Sequence, residues 1–239
     1  MTGPIDDFPW PPTLTARVAD ATPEEPRIHG YGVESDLALH YGLAGQLLVT
    51  LTGSLPDRPT ERGLEAALQF AAVTSVAEAP AHAALVASLT AAAPAAVIAT
   101  GATVAAEQAR HDVEAHAPVL GWLGAEHRGA LPDEHRATDE AERASVRRLR
   151  QAVGEPLAAH PIFDADPSRI AAVLGCLHAA GLTERRALTA ALTWARLPLV
   201  CSEAFAQPAL AFRDYPMNLP ELEYEARERP EEPGEGGPR

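Results

Sequence analysis

Residues 47–68 read LLVTLTGSLPDRPTERGLEAAL. An apolar run reaches Leu51, Gly53 and Leu55-Pro56 follow, and charged residues then restart a second amphipathic run. Gly53 suits the left-handed residue that closes a helix. Leu55 can fold back on that helix, and Pro56 cannot continue it. In the second run Leu64, Leu68 and Ala71/Ala72 recur at i, i+4, i+7/i+8, the spacing of one helical face. The stretch therefore predicts two helices joined by a defined corner.

The same period continues outward. Asp166-Pro167 predicts a helix start, with Asp as the cap and Pro in the first helical position. Ile170, Val173, Leu174 and Leu177 follow on one face, and Gly181 closes it. Thr183 is placed to cap a further helix, expected to run to Arg196 before Pro198. Alternation at period two is essentially missing, and alanine and leucine, good helix formers, dominate. The fold class expected is all-α.

Composition limits function. The chain has 239 residues and a formal net charge of −14. That field repels polyanions, and no basic stripe interleaved with aromatics offsets it, so nucleic acid is not an expected partner. The start, MTGPIDDFPWPP, lacks the basic and apolar regions of a signal peptide. Residues 81–106 contain no Asp, Glu, Lys or Arg. They are mainly small and are divided by Pro94, so two tightly packed interior helices are expected rather than a membrane span. Cys176 and Cys201 read as buried thiols of a cytoplasmic protein. His111, His116, His127 and His135 cluster in a charged middle region, but His111 and His116 are five apart and do not stack as metal ligands. No metal site is expected.

Three blocks in order resemble the citrate synthase family, which includes citryl-CoA lyase-like proteins. The first holds Gly30-Tyr31, Asp36-Leu37, Leu47-Leu48 and Gly53-Ser54-Leu55-Pro56. The second, HPIFDADPSRIAAVLGCLHAAGL, stands where the family has Pro-x-Asn-Val-Asp-Gly before a helix. The third, LTWARLPLVCSEAFAQ with FRDYPMNLPELEYE, supplies Arg196, Arg213 and Tyr224.

The resemblance implies a citrate synthase-like multi-helical fold with a large helical domain and a reduced small one. The expected division is an extended arm over 1–27, a large domain over 28–106 and 183–226, a small domain over 107–182, and a disordered tail over 227–239. It implies dimers, either a homodimer or a heterodimer with a family homologue. It also implies acetyl-CoA or citryl-CoA as substrate, with no bound cofactor, and an acyltransferase or lyase reaction at a carbon–carbon bond.

That reaction needs a base at the acetyl methyl, a donor at the oxo group and cations for carboxylates. The family's His-Gly-Gly is missing after Gly101, where the chain reads VIATGATVAAEQ. Ala84 stands where an arginine is expected, and His82 is the polar residue nearby. His127, out of register with the family's Gly-x-Gly-His, and Asp166 are the candidate catalytic residues. Arg213 and Arg196 are the candidate carboxylate-binding residues. For these candidates the plainer alternatives are a loop histidine, a helix cap and a packing ion pair. The expectation is a citrate synthase-like protein with a degraded site and weak or lost catalysis. The alternatives are an active diverged citrate synthase or citryl-CoA lyase, and a non-catalytic partner subunit of an intact homologue.

Overall fold

The computed structural model describes residues 15–21, 24–125 and 129–206. Its opening elements are short: β1 (Ala19–Ala21), β2 (Pro26–Ile28) and β3 (Tyr31–Gly32) form an antiparallel meander in the order β1-β2-β3. The sequence reading missed this meander, because strands of two or three residues carry no measurable alternation. From there the described chain is helical. A π-turn over 33–37 leads into α1 (Ala38–His40), followed by α2 (Leu43–Thr52) and α3 (Arg58–Ala72).

The corner between α2 and α3 forms as its residues dictate. Gly53 takes φ +77° and donates its N–H to Val49 O at 2.7 Å. Pro56 is buried, and Asp57 caps α3 by accepting from Thr60 N at 2.9 Å. Leu64, Leu68 and Ala71 are buried on one face. Glu61, itself buried, reaches back to accept from Gly42 N at 2.6 Å and pairs with Arg58 at 3.0 Å. Its carboxylate thus satisfies a free amide at the start of α2, where a helix carries partial positive charge.

Pro94 separates α4 (Ala79–Leu89) from α5 (Pro94–Ala115), and both pack on α9 (Arg185–Ala206). Small side chains make this approach possible. A Cβ on Gly101 would lie 2.8 Å from Val200 Cγ1 and 3.1 Å from Ala84 Cβ. Only one stripe of early α5 is buried, however: Val97, Gly101 and Ala105, with Ile98 41% exposed. The interior reading of 81–106 therefore holds for one face alone. α5 also runs unbroken through residue 106, where the sequence reading places a domain boundary.

α6 (Ala117–Gly124) leads to a loop and then to α7 (Glu140–Val153). α7 buries Val146, Leu149 and Val153 and presents ion pairs outward, including Arg147–Glu140 at 2.6 Å and Arg150–Asp164 at 3.0 Å. α8 (Arg169–Ala179) lies at the centre, buried from Ala171 through Leu177. One core of buried apolar residues joins α2, α3, α5, α6, α7, α8 and α9. A smaller one holds Ala81, Ala84, Val97, Val200 and Ala204.

Two helix ends differ from expectation. The cap of α8 is Ser168, whose hydroxyl accepts from Ala171 N at 3.3 Å, and not Asp166. Asp166 stands two residues too early, at φ +53°, and its carboxylate is held by Arg143 at 3.1 Å. α9 does not stop before Pro198 but continues through it to Ala206. Proline costs a helix one hydrogen bond and a clash. Here Val200 and Ala204 beyond it are fully buried against α4 and α5, which offsets that loss. Among the described residues no helix is long and apolar enough to cross a membrane.

Candidate functional site

Arg196 stands in the middle of α9, 8% exposed. Its Nη2 lies 2.7 Å from Asp112 Oδ2 on α5, and its Nε donates to Ala71 O at the end of α3 at 3.4 Å. Nη1 is buried with no hydrogen-bond partner among the described residues. A guanidinium withdrawn from water needs a carboxylate to hold it, and Asp112 supplies one.

A cavity of about 210 Å³ adjoins this pair. α5 contributes Gln108 as well as Asp112, four residues apart and so on one face. Glu78 enters from the start of α4, and Arg169 and Val173 enter from the first turns of α8. Glu78 accepts from Ser75 N at 2.9 Å and from Gln108 Nε2 at 3.0 Å. Since a carboxylate can only accept, the amide nitrogen of Gln108 must face it. Gln108 Oε1 is left buried with no partner. Burial pushes the Glu78 carboxyl upward. The hydrogen bonds from Gln108 and Ser75 and the positive charge of Arg196 outweigh it, and Glu78 is held below its ordinary value. The cavity thus has two carboxylates against two guanidinium groups, with one guanidinium already committed.

The four residues anticipated as a site do not assemble together among the described residues. Arg196 lines the cavity. Asp166 does not, being an exposed partner of Arg143. His127 and Arg213 lie outside the described residues. No histidine is among the described residues lining the cavity. His82 is half-buried on α4, and His111 is exposed on α5. No group of three metal-ligating side chains occurs among the described residues. Cys176 is buried, and burial pushes its thiol up to about 12, while Cys201 is half-buried.

Sequence reasoning missed Asp112, Gln108 and Glu78. A signal existed on α5: Val97, Gly101, Ala105, Ala109 and Val113 form the buried stripe, and residues 108 and 112 lie directly beside it. A polar pair there faces into the protein and needs partners.

The arrangement of helices has counterparts among solved structures. Citryl-CoA lyase from Hydrogenobacter thermophilus matches with a TM-score of 0.59 at 15% identity, over 91% of this chain and 97% of that one. ATP citrate lyase from Methanothrix soehngenii, in complex with citrate and coenzyme A, matches at 0.53 and 13% identity. A D541A mutant of Methanosaeta concilii ATP citrate lyase, in complex with (3S)-citryl-CoA, matches at 0.53 and 14%. Both of the latter cover 91% of this chain, which spans 43% of theirs. No protein-family model matches the sequence, and no curated protein matches it. Built from a capped α2–α3 corner, a close-packed α4–α5–α9 layer and a buried α8, this chain has the citrate synthase/citryl-CoA lyase-like fold.

Proposed function

We propose that the chain is a citrate synthase-like protein whose acyl-CoA and oxo-acid site is weak or lost in catalysis. The observation that carries this reading is the Arg196–Asp112 pair at 2.7 Å. The resemblance assigns Arg196 to a substrate carboxylate, and here an internal carboxylate occupies that role. A substrate must displace Asp112 and repel Glu78 to use it. No imidazole is among the cavity's described lining residues. Arg213 remains a second candidate for a substrate carboxylate, and His127 and Asp166 remain the candidates for proton transfer in an active enzyme.

Turnover decides between these readings. The purified chain is assayed with citryl-CoA, and with acetyl-CoA plus oxaloacetate, from pH 6 to 9. The expected result is no release or consumption of CoA thioester above the uncatalysed rate. Turnover that disappears in Asp166→Ala establishes the active-enzyme reading instead.

One observation favours a paired assembly. The outer face of early α5 is free of charge from Pro94 to Val104, and Ile98 stands exposed on it. This face pairs with a second copy or with a homologue. Sedimentation of the purified chain is expected to give a dimer, and Ile98→Glu is expected to give a monomer. A monomeric parent protein contradicts self-pairing.

A further inference from the structure

The rings of His116 and His135 lie against each other, centroids 4.7 Å apart and planes tilted by 38°, away from the lining of the Arg196 cavity. His116 closes α5, and its Nδ1 donates to Asp112 O at 2.8 Å, which makes Nε2 its acceptor when neutral. His135 is 5% exposed, and neither ring nitrogen has a hydrogen-bond partner among the described residues. A buried imidazole with nothing to accept its proton is held by the packing around it and not by its own bonds.

Neither ring lines the cavity, but each is tied to it through backbone hydrogen bonds. His116 is bonded to the backbone of Asp112, whose side chain holds Arg196. His135 O accepts from Ser168 N at 2.8 Å, and Ser168 caps α8, the helix that carries Arg169 and Val173 into the cavity. A second strut lies beside it, from Ala137 N to Asp166 O at 3.0 Å. Displacing His135 therefore pulls on the start of α8.

The surrounding charges say where a protonated ring goes. Asp112, from α5, is committed to Arg196. α6 carries no charged residue. Next to His135 in its own loop, Asp133 faces Arg136 at 3.5 Å, and across from it Asp166 is held by Arg143. From α7, Glu142 accepts from Thr138 N and from Arg169 N, each at 3.0 Å. Glu134 Oε1 lies 3.9 Å from His135 Nε2, and Glu134 is largely exposed. A proton on the pair is accommodated when the rings part and the exposed Glu134 side of His135 is open to water.

We propose that His116 and His135 form an acid-sensitive latch: uptake of a proton by the pair parts the two rings and loosens the α8 end of the Arg196 cavity. As a regulator of ligand binding, the latch rests on the reading of that cavity as the binding site. Burial, with the nearby His135, holds the His116 imidazole below its ordinary value of 6.5, against the pull of Asp112. The unfolded chain then takes up a proton at higher pH than the folded one. The neutral pair is stable above about pH 6.5, and stability falls as pH drops below it.

Hydrogen exchange at pH 7.5 and 5.5, corrected for intrinsic rates, tests the latch in the full chain. Amides at 168–173 are expected to lose about tenfold protection at the lower pH relative to those of α2. His135→Leu is expected to abolish that selective loss, and His116→Leu makes the same test if the first variant fails to fold. An unchanged acid response in the variant that folds overturns the latch, as does a parent protein with no selective loss. Citrate titration at pH 7.5 reports on the cavity separately. Its failure counts against the binding site and leaves the exchange result standing.

Discussion

Arg196→Ala lowers the unfolding free energy by about 3–5 kcal/mol. The loss comes from what remains. Asp112 is three-quarters buried and, without its guanidinium, keeps a charge that water reaches poorly. Glu78 also loses the positive charge that helps keep it ionised. Packing suffers too, since Arg196 ties α9 to the end of α3 through Ala71 O. Urea unfolding measures the change as a shift of midpoint at constant slope. The double variant Arg196→Met with Asp112→Leu is expected to recover most of it, because replacing both charges of a buried pair by apolar groups is often close to neutral. A single-variant loss below about 1 kcal/mol would mean that the pair is solvated, like an ordinary surface bridge.

Asp112→Asn has an effect of similar size and opposite use. It removes the internal carboxylate and leaves Arg196 buried with its charge uncompensated, at a cost of about 3–5 kcal/mol. A carboxylate ligand then competes for Arg196 against a neutral amide in place of a charged carboxylate. Charge-assisted bonds from a guanidinium to a carboxylate are among the stronger hydrogen bonds in proteins. Citrate is therefore expected to raise the melting temperature of Asp112→Asn in a concentration-dependent way and to have little effect on the parent. Thermal denaturation with and without 10 mM citrate, in a constant ionic strength, reads this difference. Equal responses in both proteins would show that Arg196 is not the group citrate meets.

Much of the fold was legible because local chemistry and tertiary packing agree. Gly53, Asp57 and the Leu64/Leu68 face each specify one conformation, and each adopts it. Pro94 divides α4 from α5 for the same reason. Where the two levels compete, packing prevails. Pro198 lies inside α9 because Val200 and Ala204 bury themselves beyond it. Asp166 looks like a cap, but Ser168 serves as well and Arg143 claims the aspartate.

The site was less legible. Arg196 was found through resemblance, yet its partner Asp112 is remote in sequence and sits in a helix rich in surface charge. Glu78 and Gln108 meet only because α4 and α5 pack at close range. His116 and His135 were visible as members of a histidine-rich region, but sequence spacing could not show that they touch each other.

Under the proposed function, Asp112 stands where a substrate carboxylate would meet Arg196. Calorimetric titration of the parent protein and of Asp112→Asn with citrate at pH 7.5 tests it most directly. Binding to Asp112→Asn is expected to be at least about tenfold tighter than to the parent, and to be lost when Arg196→Met is added. Binding to the parent protein that equals or exceeds binding to Asp112→Asn would contradict it.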